Sequence, residues 1–129
     1  MKKYYILSFF IAAFSTIPIY AALPDSVINQ KIRLADIAIH KNEHSKAFSL
    51  YSECANEGNA KAINAVGVLK QHGWGTEKDE KGSIECFEKS YSLGYDKAGY
   101  NLVQVYISGL GAEISFEKAL TYLQPMAEK

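Results

Sequence analysis

Residues 61–75 read KAINAVGVLKQHGWG, and residues 97–111 read KAGYNLVQVYISGLG. Laid on one another, the two stretches match Ala62 with Ala98, Val66 with Leu102, Gly73 with Gly109 and Gly75 with Gly111, each pair 36 residues apart. The agreement extends outward. Phe87 is answered by Leu123, and Ala47, Tyr51, Ala55 and Gly58 stand 36 residues before Ser83, Phe87, Tyr91 and Gly94. A period in this range marks stacked helical hairpins, each of which buries its apolar face only against its neighbours. An all-α fold follows, in a single domain over residues 25–129, because no Pro-rich, Ser-rich or single-sign linker interrupts that span.

Apolar spacing and breakers divide the span into six helices. The first is expected from about Asp25 to His40, with Asp25 or Ser26 as N-cap. A turn at Asn42 and Glu43 leads to a stripe from Ala47 to Ala55 that Gly58 ends. The third helix is predicted from about Ala60 to His72, broken by Gly73-Trp74-Gly75. Asp79 starts a fourth that ends at Gly94, a fifth carries Ala98, Leu102, Val105 and Tyr106 to Gly109, and Ser115 caps a sixth. Ala62 and Ala98 allow close approach between hairpins, while Phe87, Tyr91, Tyr122 and Leu123 fill the gaps.

Residues 1–22 read separately. Lys2 and Lys3 precede an uncharged apolar run from Tyr4 to Tyr20, and Ala21 and Ala22 offer small residues for cleavage. This is the layout of a secretory signal peptide, and it predicts a periplasmic or secreted product with no membrane attachment after cleavage. The chain balances 14 basic against 14 acidic side chains and has no concentrated basic surface, which speaks against a nucleic-acid partner.

The motifs Val66-Gly67, Gly73-Trp74-Gly75, Phe87-Glu88-Lys89 and Gly94, then Asn101-Leu102, Gly109-Leu110-Gly111, Lys118-Ala119 and Tyr122, resemble the Sel-one-like repeat, a tetratricopeptide relative with a longer inter-helix loop. The resemblance covers about Lys61 to Lys129. Residues 28–60 look more like a tetratricopeptide unit, because the turn at Asn42 lacks the paired glycines. Ser115 stands where the family usually has Asp, Ser83 where it has Ala, and Gly82 where it has Lys. The resemblance implies an α/α right-handed solenoid of about three hairpins that binds protein, without enzymatic activity, cofactor or metal.

Family geometry places the first helix of each hairpin on the concave side. Arg33 on the first such helix, Lys61, Asn64 and His72 on the second, and Lys97, Tyr100, Asn101 and Gln104 on the third would then form a polar groove. Tyr100 is its expected aromatic anchor. Trp74 and Leu110 hold equivalent loop positions and would protrude along one edge; the alternative is that Trp74 folds back over its own hairpin.

Cys54 and Cys86 lie on neighbouring second helices. A disulfide and a pair of buried thiols are both open to them. His40-Lys41-Asn42-Glu43-His44 matches a zinc-peptidase string, but the repeat places Asn42 in a turn, so the two rings need not share a face. Ser115-Phe116-Glu117-Lys118 matches a serine acyltransferase string, with Ser115 where a helix cap is expected. The preferred reading is a non-catalytic envelope adaptor. The alternatives are a periplasmic immunity or inhibitor protein that neutralises a toxin and, below that, a zinc-dependent hydrolase using His40, Glu43 and His44. No polar capping helix follows Tyr122 and Leu123, which predicts a homodimer or a docked partner at that face.

Overall fold

The computed structural model describes residues 22–129, so the expected signal peptide, Ala22 apart, lies outside the described residues. Six helices follow in order: α1 Asp25–His40, α2 His44–Asn56, α3 Ala60–His72, α4 Glu80–Ser92, α5 Asp96–Ser108 and α6 Phe116–Ala127. The described residues contain no strand. Helices α1 and α2, α3 and α4, and α5 and α6 pair as three hairpins, and each hairpin leans on the next through α2 with α3 and α4 with α5.

Local chemistry sets the boundaries. The Asn59 side chain accepts a hydrogen bond from the Ala62 N–H at 3.0 Å, and Asp79 accepts from Gly82 at 2.8 Å, so α3 and α4 each begin on a side-chain cap. Ser115 does the same for α6 by accepting from the Lys118 N–H at 3.3 Å. Helix α1 has its expected bounds but not its expected cap. Neither Asp25 nor Ser26 caps it; the Pro24 carbonyl accepts from the Val27 and Ile28 N–H groups at 2.9 and 3.1 Å. Pro24 fixes its own φ and delivers the chain straight into the helix, leaving Asp25 in the first turn, where its charge favours the positive helix end.

Two apolar clusters follow one another along the stack. Ile32, Ala35, Ala47, Tyr51, Ala62, Val66 and Leu69 join α1, α2 and α3, and Phe87, Ala98, Leu102, Val105, Tyr106 and Ala119 join α4, α5 and α6. Ala62 and Ala98 are both fully buried, in like positions, as the period requires. Inside the middle hairpin the Phe87 ring occupies a notch at Gly67, where an added Cβ would stand 2.7 Å from it. Ser83, fully buried in place of an alanine, is satisfied by donating from its hydroxyl to the Glu80 carbonyl at 2.6 Å. Gly82 leaves room for the capping Asp79 carboxylate, whose Oδ2 would lie 2.2 Å from a Cβ there.

The two Gly-x-Gly loops have one job. A Cβ on Gly75 would stand 2.3 Å from the His44 carbonyl oxygen, and one on Gly111 would meet Glu80 at 2.7 to 2.9 Å. His44 and Glu80 open α2 and α4 and are themselves 36 residues apart. Each loop therefore sits directly on the first turn of the preceding hairpin's second helix, an approach that only glycine permits.

One expectation needs correction. Tyr122 does not lie on the outer face: its ring meets Tyr91 edge-on at 5.4 Å and stacks on Tyr106 at 6.1 Å, because it stands 36 residues after Cys86 on the side facing its own hairpin partner. Of the two states open to Cys54 and Cys86, this structure has the free thiols. The Cys54 Sγ points toward the Ile28 carbonyl of α1 at 3.7 Å, whereas Cys86 faces Gly67 of α3, so their side chains address different neighbours.

Candidate functional site

The first helices of the three hairpins run side by side and are linked by polar contacts. Lys61 of α3 reaches back to Asp36 of α1, Nζ to Oδ2 at 2.9 Å. Asn101 of α5 donates from Nδ2 to Asn64 Oδ1 of α3 at 2.8 Å. Asp36 also accepts a hydrogen bond from the Tyr51 hydroxyl. Partial burial pushes the Asp36 carboxyl up, but the hydrogen bonds from Tyr51 and Lys61 and the Lys61 charge outweigh it and hold the group below the usual carboxylate range. Burial and the same bond to Asp36 push the Tyr51 phenol up, so it remains a donor at any physiological pH.

Beside this network a cleft of about 230 Å³ opens between the first two hairpins. Ile39, Tyr51, Ala65, Val68 and Leu69 line it, Asn64 stands at its polar side, and Trp74 stands at its edge. The sequence explains why the cleft is here. Ala65 leaves room in the first joint, and its counterpart 36 residues on, Asn101, fills the second joint by bonding to Asn64.

Trp74 resolves both ways at once. It folds back between His72 and His44, with ring centroids 4.5 and 5.2 Å away and planes within 24° and 20° of parallel, yet it keeps 42% of its surface exposed. The turn that puts it there combines a left-handed Gly73 with a Trp74 N–H bonded to the Leu69 carbonyl at 2.9 Å. Leu110, its counterpart, is half-buried.

Of the residues expected to bind a partner, Asn64 and Trp74 line the cleft, His72 and Asn101 stand behind them through contacts with Trp74 and Asn64, and Lys61 is paired with Asp36 beside it. Arg33 lies exposed on α1, Lys97, Tyr100 and Gln104 lie exposed on α5, and none of these four lines it. Tyr51 and Ile39 belong to the site although their spacing marked them only as core; no local signal ties Tyr51 to Asp36, 15 residues away. His40 closes α1, Glu43 precedes α2 and His44 opens it, with the left-handed Asn42 between them. The His44 ring is committed to Trp74, and its buried Nδ1 has no hydrogen-bond partner among the described residues. No group of three or more metal-ligating side chains comes together among the described residues. Ser115 acts as a cap, and the Lys118 ammonium lies 5.4 Å from the Tyr106 ring centroid.

Among the described residues, no helix is long and apolar enough to cross a membrane. No family model matches the chain. The human protein sel-1 homolog 2 is 32% identical over 82 residues, which is 64% of this chain and 12% of that protein. A protective antigen of uropathogenic Escherichia coli displaying an SLR fold superposes with a TM-score of 0.70 at 25% identity, covering 75% of this chain and 21% of the antigen. A Sel1 repeat protein from Oxalobacter formigenes gives 0.68 at 23% identity, covering 78% of this chain and 43% of its own. The chain thus spans less than half the length of each of these relatives. The seated glycine loops, the repeated alanines and these likenesses agree: the chain is an α-solenoid of Sel1-like repeats (SLR), related to the tetratricopeptide fold.

Proposed function

We propose that the protein is a non-catalytic interaction module of the bacterial periplasm or cell exterior that holds a segment of another protein in the Trp74 cleft. The cleft itself carries this reading. An apolar floor flanked by amide and ammonium donors suits an extended peptide with one bulky apolar side chain, its backbone carbonyls facing Asn64 and its acidic groups facing Lys61. The antigen that shares the SLR fold, and the leader-like residues 1–22, support an exported location.

Trp74 is the chain's single tryptophan and stands at the cleft, so its fluorescence reports occupancy directly. A partner captured from periplasmic extract is expected to shift that emission to the blue on titration. Trp74→Ala should weaken capture at least about tenfold, the scale of an aromatic anchor, while Lys97→Ala leaves it unchanged. A partner held at full strength by Trp74→Ala and by Val68→Asp would show that the cleft is not the site.

A further inference from the structure

Of the ten large apolar side chains exposed among the described residues, Trp74 and Ile114 lie in loops and Leu93 follows α4, and the other seven fall on the first helix and the last two. Tyr100, Ile107, Phe116, Leu120 and Leu123 lie on α5 and α6, with Tyr100 and Phe116 exposed by 56% and 67%, and Leu34 and Ile37 lie on α1. Their register explains the grouping. Leu120 and Leu123 stand 36 residues after Ile84 and Phe87, which pack in the cluster shared with α5. Phe116 stands 36 residues after Glu80, the residue on which the loop glycine of the next hairpin sits. Tyr100 stands 36 residues after Asn64, which bonds to the following first helix.

Helix α1 carries the opposite half of the same joint. Three residues (41–43) separate α1 from α2, against seven (73–79) between α3 and α4, so α1 aligns with α3 at an offset of 32 rather than 36. Leu34 and Ile37 then match Val66 and Leu69, which are buried in the cluster shared with α2. Ala35, buried against α2, matches Gly67, buried against α4, which confirms the offset.

We infer that copies of this chain stack head to tail, the α5–α6 face of one receiving the α1 face of the next, so that the joint between copies continues the two joints inside each molecule. The charges are complementary. Arg33 matches Ala65 and Asn101 at this offset, and Asn101 is the residue that bonds to Asn64; Arg33 of the incoming copy therefore falls over the Tyr100 ring, a cation on an aromatic face. Lys41 matches Gly73 at this offset and Glu117 matches Ser45 at 72, and the loop from Gly73 to Gly75 seats against Ser45, so Lys41 of the incoming copy falls near Glu117. Gln30 stands where Ala62 and Ala98 allow close approach in the internal joints, so the joint between copies is wider and the assembly reversible. Because the two faces differ, the contact is heterologous and does not close at a dimer.

Sedimentation and light scattering on the chain as isolated from expressing cells test this. The wild type is expected to gain mass with concentration without a plateau at two copies. Leu34→Glu and Leu120→Glu, both at exposed positions, should each remain monomeric, with association weakened at least about tenfold and with unchanged helical circular dichroism and Trp74 emission. Mixed in equal amounts, they should form a one-to-one dimer and nothing longer, because each retains the face the other lacks. A wild type that stays monomeric at every concentration overturns the inference. So does a Leu34→Glu variant that still pairs, which would mean that two α5–α6 faces meet. Neither variant touches the Trp74 cleft, so loss of stacking and loss of partner binding are read separately.

Discussion

At the scale of the residue, glycine and one carboxylate carry the sharpest expectations. Gly75 has φ +72° and no room for a side chain beside the His44 carbonyl, whereas Gly58 has φ +81° and open space around it. Gly58→Ala should cost only the left-handed backbone penalty of about 1–2 kcal/mol. Gly75→Ala adds a backbone clash and should lose clearly more, separating the first hairpin from the second; urea unfolding of the two variants side by side measures the difference. Asp36 predicts a pH dependence. Its folded-state pKa is depressed, so its stabilisation is fully present above the unfolded-state value of about 3.9 and is lost as the pH falls through the lower folded-state value. The pair is half exposed, which limits its contribution to about 0.2–1 kcal/mol. Wild type should therefore exceed Asp36→Asn slightly near neutrality, with the gap closing as the pH falls through the depressed folded-state value.

At the scale of the element, each hairpin depends on a large residue meeting a small one. Phe87 is fully buried against the Gly67 notch, so Phe87→Ala removes the main filler of both the middle hairpin and its joint with α5. A loss of about 3–5 kcal/mol is expected, read from the shift of the urea midpoint at constant slope. Periodicity made this level legible. The third helix matches its expected bounds, and Asp79 and Ser115 cap as their positions suggested, because caps and glycine stops are local chemistry. The bounds of α1 also match, but its cap was not legible, since a proline carbonyl can replace a side-chain cap and leaves no polar residue to mark it. The side on which Tyr122 falls was also missed; its burial depends on Tyr91 and Tyr106, which only the packed hairpin brings together.

At the scale of the whole molecule, the repeat foretold the stack but only part of the site. Asn64, Trp74 and Asn101 were recognisable from repeat position, whereas the cleft exists because Ala65 is small at one joint and Asn101 large at the next, a contrast visible only once the register is known. Tyr100 reads as a groove anchor in sequence; in three dimensions it lies exposed on α5 and does not line the cleft. Leu102 is fully buried in the second cluster, and Leu102→Asp places a carboxylate where α4, α5 and α6 meet. Loss of helical signal from more than one hairpin is expected by circular dichroism, since neighbours supply one another's burial.

Contact between helices follows chain order, each one leaning chiefly on the helix before it and the helix after it. Held at its two ends and stretched, the described part of the chain has no disulfide to break first. It should yield under low force, peeling from either end in short steps of extension rather than in one rupture, and should wind back quickly once the tension is released.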